Sequence, residues 1–514
     1  MRKASVYLFV CLTLVALVPL APFLFAGTET LTELRMRQTA MPRFTLEQAV
    51  LTALMRNADI QKARQDIERT KGLYIQMRAE ILPKIEALYN VQNTDPHLGS
   101  ISSGSSGGLS GVPTQYSLSL QASQVVFAGG RVISNIRAAA FTRDSSYFGF
   151  RNVVDTVIST VKQQFYQVLL NRELINVQES SVNLLKSQLQ DQQNRFEAGT
   201  VPRFNVLQAQ VALSNQYPLL IAAQNSYRIS LLQLAKTLGL DFDPMRAGQQ
   251  PLEAVGTLEF HPRHIPLDMA IEMAKERRPF LKQQKAVVLS NAAQVNVARS
   301  GYFPTFSVTA GEDFRSSPIS ENIDQVRSGY VFGGTGSWAI WDWGATYGAV
   351  KQANAVLEQS KITLDDANRQ VELEVQQQDS NLRQSAELVK ATEESVGQAQ
   401  EALRLASARL SAGAGTQLEV LNSRVEVTQA ESNRIQALFN YNVALAEFDR
   451  VTATEVVYSN ELDDAHTRDK TRTDARPTPA PKPTPLQLNH AGNRPPIQTR
   501  TTTTTRTTRT TGSK

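Results

Sequence analysis

The chain has 514 residues, of which 41% are hydrophobic and 20% charged, with a formal net charge of +5. These proportions belong to a folded protein and exclude global disorder. The positive charge does not point to nucleic acid: ten Lys or Arg against two Asp fall between His466 and Lys514, which leaves the remaining chain at about −3.

In chain order, the first feature is an export signal over 1–26. Arg2 and Lys3 precede an apolar run from Val6 to Ala26, and Leu24-Phe25-Ala26 suits cleavage. An uncleaved anchor is the competing reading of a run this long. Pro19, Pro22 and the lack of charge after the run favour cleavage. Cys11 is the single cysteine and lies within the signal, so the mature chain has no thiol for a disulfide, a metal or a nucleophile. A short segment, 27–43, follows. No later stretch is apolar enough for a transmembrane helix, which leaves β-strands as the possible membrane element.

The body is a tandem repeat, predicted over 44–250 and 266–454 with a linker at 251–265. Residues 45–50 read TLEQAV and 266–271 read PLDMAI. Leu82-Pro83 and Phe303-Pro304 share that spacing of 221. Phe127-Ala128-Gly129-Gly130 matches Trp341-Asp342-Trp343-Gly344 at a spacing of 214, as does the stretch Phe196–Leu207 with Leu410–Leu421. The seven-residue difference falls between the matched prolines and glycines, where a loop absorbs it.

Each half predicts the same elements. An amphipathic helix comes first, at 44–80 and 266–300. Two alternating segments follow around a polar loop. Ile85, Ala87, Tyr89 and Val91 share one parity, as do Tyr116, Leu118, Leu120 and Ala122. Phe306, Val308 and Ala310 form a third set, and Tyr330, Phe332, Trp338 and Ile340 a fourth. One apolar and one polar face suit a barrel with lipid outside and water inside, with Tyr89, Tyr116, Tyr330 and Trp338 as girdle residues. A half-buried sheet in a soluble domain gives the same pattern.

Next come long helices, at 131–198 and 345–412. Val161, Val168, Ile175, Val182, Leu189 and Phe196 recur every seven residues. Val375, Leu382, Val389, Val396, Leu403 and Leu410 do the same in the second half. That period is a coiled-coil seam. A Gly-turn and a closing helix, at 203–239 and 417–452, complete each half. Each long helix spans about 100 Å. The two shorter helices together equal it, so they stack end to end beside it and make a wall four helices wide. Four strands cannot close a barrel, and their edges in lipid would be unsatisfied, so the chain must assemble with copies of itself.

The doubled motifs resemble the TolC family of outer-membrane factors over about 44–453. They are the TLEQAV and PLDMAI openings, Pro83 and Pro304, Gly130 and Gly344, and the Gly-turns at Gly199 and Gly413 with Gly415. The resemblance implies a mainly α chain with a small membrane β-barrel. Three copies would form a 12-stranded barrel in the outer membrane, continued by a long α-helical coiled-coil barrel through the periplasm. The implied function is a passive export duct for efflux or type I secretion. The implied partners are a periplasmic adaptor, an inner-membrane efflux pump or ABC exporter, and outer-membrane lipid. The resemblance implies no cofactor, no nucleic acid and no enzyme.

At the tip, the family's acidic ring matches Glu419 and Asn422. Glu419 reads either as a pore carboxylate or as a solvated residue at a helix N-terminus. The family's polar tip links match Asn205, Leu410 and Gly415. Leu410 and Gly415 cannot supply side-chain hydrogen bonds, which leaves Arg203, Arg409 or Arg424 as substitutes. His261 and His264 lack further ligands for a metal. The Gly-rich stretches 104–111 and 333–336 lack a P-loop lysine. A periplasmic coiled-coil spacer and an anchored adaptor are the rival readings. A spacer needs no lipid-facing band, and an adaptor needs a compact β-rich domain that the sequence lacks.

Residues 455–514 are Pro/Thr/Arg-rich and end in TTTTTRTTRTTGSK. Such a tail cannot bury a core and is expected to be disordered. Truncation after Thr454 is expected to leave oligomer mass and export unchanged, measured by detergent-phase light scattering and a cargo accumulation assay.

Overall fold

A computed structural model describes residues 43–93, 114–240, 252–263, 265–316, 326–454 and 456. The export signal, the glycines of 104–111, His264 and the basic tail lie outside the described residues.

The elements of the first repeat are β1 (Arg43–Phe44), α1 (Leu46–Arg56), α2 (Ala58–Ala79), β2 (Lys84–Asn93), β3 (Thr114–Ala128), α3 (Arg131–Glu197) and α4 (Arg203–Leu238). The second contributes β4 (Glu253–Ala254), α5 (Leu267–Arg277), α6 (Pro279–Arg299), β5 (Thr305–Ser316), β6 (Val326–Ser337), α7 (Ala345–Ser411) and α8 (Gln417–Thr452).

The two long helices have 67 residues each. At 1.5 Å per residue each is about 100 Å long. In the first half α2 and α4 both pack along α3, and in the second α6 and α8 both pack along α7. The halves join because α6 and α8 also pack on α3. The wall therefore runs α2/α4, α3, α6/α8, α7, four helices wide. Among the described residues no helix is long and apolar enough to cross a membrane.

The expected helices 44–80 and 266–300 are each broken in two, and the sequence explains both breaks. Asn57 leaves helical geometry with ψ 131°. Its Oδ1 accepts from the backbone N–H groups of Asp59 and Ile60 at 2.8 and 3.3 Å, which caps α2. Its Nδ2 donates to the Thr237 carbonyl at 2.8 Å, tying the joint to α4. In the second half the break falls at Arg278, the residue before Pro279. Proline pushes its predecessor out of the helical region. Buried Arg278 pairs with Glu374 of α7.

Two apolar clusters form at these joints. The first gathers Val50, Ile60, Phe165, Leu169, Leu234 and Leu238, and the second Leu281, Val371, Val375, Tyr441 and Phe448. The heptad seam is buried here and fades away from it. Val161, Val168, Val375 and Leu382 are buried, whereas Leu403 and Leu410 are half-buried and Phe196 is exposed.

Strands β1 and β4 form a short parallel pair, and the other four form one antiparallel sheet in the order β2-β3-β5-β6. Residues directly opposite share a face. The rows Ile85–Ala122–Ala310–Phe332 and Tyr89–Leu118–Phe314–Ser328 lie on the largely apolar face expected from the sequence. Glu312, between Leu120 and Tyr330, interrupts it. Trp338 and Ile340 depart from expectation, because β6 ends at Ser337. They lie past the point where β5 can pair with them, and no other strand among the described residues stands on their side.

Asn57→Ala removes a helix cap and a tertiary hydrogen bond together. The expected loss is about 1–2 kcal/mol for the cap, read as a lower unfolding midpoint by circular dichroism. An unchanged midpoint would show that the joint is held by packing alone.

Candidate channel tip

The wall ends where α3 turns into α4 and α7 turns into α8. Both turns close on a glycine in the left-handed region, Gly199 and Gly413, each with φ 72°. In the first, the Gly199 N–H donates to the Phe196 carbonyl at 2.9 Å and the Thr200 N–H to Arg195 at 2.9 Å. In the second, the Gly413 N–H donates to Leu410 at 3.1 Å and the Ala414 N–H to Arg409 at 2.9 Å. These bonds satisfy the last carbonyls of the long helices, and glycine supplies the positive φ at little cost. Gly415 is constrained differently: a Cβ there would meet the Leu410 nitrogen and the Arg409 Cβ, both at 3.0 Å.

The turns enclose an open cleft of about 450 Å³ between the two repeats. Asn205, Leu410 and Gly415 all line it, beside Gln192, Arg195 and Gln417. The three positions matched to the family's tip links are thus gathered in one place. Asn205 is half-buried in the first turn of α4.

Glu419 sits in the first turn of α8, where the helix dipole favours a carboxylate. Its N–H is capped by Thr416 Oγ1 at 3.2 Å. Arg409 Nη2 stands 3.9 Å from its carboxylate and also donates to the Ala414 carbonyl at 3.3 Å. Arg409 and Glu419 are both substantially exposed, so the pair adds little stability. Asn422 is exposed, nearly one turn further along α8.

Of the three arginines considered as substitute links, Arg424 makes the contact between repeats. Its Nη1 donates to Gln188 Oε1, joining α8 to α3. Burial pushes the Arg424 guanidinium below its ordinary pKa. Gln188 itself is buried. Nothing in the sequence singles Gln188 out among the many glutamines of α3. Arg424 Nε, Gln192 Oε1 and Gln417 Nε2 are buried with no hydrogen-bond partner among the described residues.

Chemistry elsewhere is sparse. Among the described residues no group of three or more His, Cys, Asp or Glu is placed to hold a metal. His261 Nε2 lies 2.8 Å from Glu259 Oε2, and this hydrogen bond holds the Glu259 carboxyl below its usual range. The His261 carbonyl accepts from Tyr441 Oη at 2.6 Å, so the segment braces α8.

A four-stranded open sheet continued by a four-helix wall with paired Gly-turns at its end defines the architecture of outer-membrane channel subunits. The chain belongs to the outer membrane efflux protein family, whose sequence signature matches residues 50–240 and 270–454. The family is one of channels, not an enzyme class, and its location is the outer membrane. The chain is 24% identical over 308 residues to the probable efflux pump outer membrane protein TtgC of Pseudomonas putida, covering 57% of each chain. It therefore spans 57% of that relative's length. It is 22% identical over 414 residues to the outer membrane protein TolC of Escherichia coli, covering 77% of this chain and 79% of TolC. Its fold is similar to that of the CmeC outer membrane channel of Campylobacter jejuni, with a TM-score of 0.72 at 16% identity over 83% of this chain and 89% of CmeC.

Gln188→Ala leaves the half-buried Arg424 without its acceptor. The expected cost is about 1–3 kcal/mol. It should be read as faster tryptic cleavage at Arg203 or Arg409 beside the turns, and an unchanged rate would show that the contact does not hold the tip.

Proposed function

We propose that three copies of this chain form the outer-membrane duct of an export system. The duct is passive. An inner-membrane pump supplies the work, and a periplasmic adaptor joins the pump to the tip. One observation carries this reading: a single chain holds both a sheet with a largely apolar face and two open edges, and a helical wall about 100 Å long. Three such sheets give 12 strands, enough to enclose an aqueous lumen while their outer face meets lipid. The wall is then long enough to carry the lumen into the periplasm. Membership of the efflux family supports the same assignment.

The tip is the constriction. Glu419 of three copies would ring it, within the reach of one another's fields, since the Debye length is about 8 Å at physiological ionic strength. A ring of carboxylates favours cations. Arg409, 3.9 Å from Glu419, offsets part of that field.

Reconstituted in planar bilayers, the protein is expected to conduct with cation selectivity. Glu419→Gln should move the reversal potential in a salt gradient toward zero and weaken block by divalent cations. Asn422→Asp should move the potential the other way. Channels whose selectivity ignores both changes would remove Glu419 from the pore, and a protein that never conducts would remove the duct.

A further inference from the structure

The two repeats meet inside the chain, and their contact can be followed residue by residue. Strand β3 pairs with β2 down to Ser123, which stands opposite Lys84. The next five residues, 124–128, continue the strand against β5 alone: Gln124 opposite Val308, Phe127 opposite Phe306, and Ala128 opposite Thr305. The second repeat begins the same way. Ser337 stands opposite Thr305, and these are the counterparts of Ser123 and Lys84 at the repeat spacings of 214 and 221. Residues 338–342 are then the counterparts of 124–128. Yet β6 stops at Ser337, because β6 is an edge strand.

The turn beyond repeats the contrast. Gly129 has φ 57°, and a Cβ there would come within 2.7 Å of Phe303 Cβ and 2.8 Å of the Ser300 carbonyl. The Phe127 and Phe306 rings meet beside it, 6.3 Å between centroids. The counterpart of Gly129 is Trp343, held at φ 55°. A bulky residue in the left-handed region is strained and persists where its surroundings over-determine it. Within the protomer the backbone there is held by Asp342, whose carboxylate accepts from the Gly344 and Thr346 N–H groups at 3.0 and 2.7 Å and whose carbonyl accepts from the Ala345 N–H at 3.1 Å, but the rings are left uncovered: Trp343 is 89% exposed and Trp341 76%. The two rings meet each other edge to face at 5.8 Å.

The counterparts of Phe303 and Phe306 are Leu82 and Ile85, at the foot of the opposite edge strand and 66% and 71% exposed. Side-chain sizes are exchanged between the two settings. Inside the chain glycine faces phenylalanine; at the open edges tryptophan would face leucine. The same register sets Asp342 opposite Lys84, an anion against a cation.

We propose that residues 338–342 complete strand β6 only against the foot of β2 in a second copy, with Trp341 and Trp343 seated on Ile85 and Leu82 of the partner subunit. The proposal rests on the oligomeric duct described above and specifies the contact that closes it. Asp342 also caps α7 and Lys84 also pairs with Glu86 within the chain, so the exchanged side-chain sizes and the unpaired strand edges, rather than these charges, select another copy as the occupant.

The test is a cysteine pair, Trp343→Cys with Leu82→Cys, in a full-length chain carrying Cys11→Ser. The corresponding Cβ positions inside the chain are close enough for a disulfide once the backbone relaxes slightly. Mild oxidation in native membranes should give covalent trimers on non-reducing gels for the double variant and none for either single variant. Light scattering of the detergent-extracted protein reports its mass independently. A trimer by mass that does not cross-link overturns this contact and leaves the duct standing. A monomer by mass overturns both. All three tryptophans of the chain lie at 338–343, so strong quenching of indole emission by brominated phospholipid, in a trimer that does not cross-link, would assign the rings to the bilayer instead.

Discussion

Among the described residues the four-stranded sheet leaves two rows of backbone N–H and C=O groups without partners, one on β2 and one on β6. In water those groups would be solvated. In hydrocarbon each would cost several kcal/mol, so an open sheet cannot rest there. The constraint reaches well beyond the sheet. It requires the first and last strands to be complementary to each other, and internal duplication supplies that complementarity directly. A chain whose second half can follow its first half can also be followed by the first half of another copy. The helices follow the same duplication: α6 and α8 pack on α3 within the chain, and α7 is the counterpart of α3 at the repeat spacing of 214.

Much of this was legible in the sequence because duplication writes each signal twice. The 214-residue spacing places Gly199 with Gly413 and Gly130 with Gly344, and all four have positive φ. The heptad apolar series stops one residue short of the C-terminal end of each long helix, and Gly130 and Gly344 mark the starts. The helix breaks were less legible. An amphipathic pattern runs on through Asn57, and only the capping bonds of its side chain reveal an end. Pro279 was the clearer signal and lay in plain view. The end of β6 is hidden for a different reason: the alternation of Trp338 and Ile340 is real, but a strand also needs a neighbour.

At the tip, the structure places Asn205, Leu410 and Gly415 along one cleft. Sequence matching named Arg424 only among several arginines and gave no partner for it. The contact with Gln188 crosses 236 positions of sequence, and a glutamine on a glutamine-rich helix carries no pattern. Periodicity reports which face of a helix is covered. It does not report which polar side chain on the neighbouring helix lies within hydrogen-bonding distance.

The joints at Asn57 and Arg278 give the wall an unequal construction. Continuous members, α3 and α7, alternate with spliced ones, α2/α4 and α6/α8. Both apolar clusters sit at the splices, where they act as a clamp. Towards the Gly-turns the seam thins to half-buried Leu403 and Leu410 and exposed Phe196. A wall built this way is stiff at its waist and compliant at its free end. Bending energy is lowest in the last few heptads, so the end of the wall at the Gly-turns can shift while the packed clusters above it keep their shape.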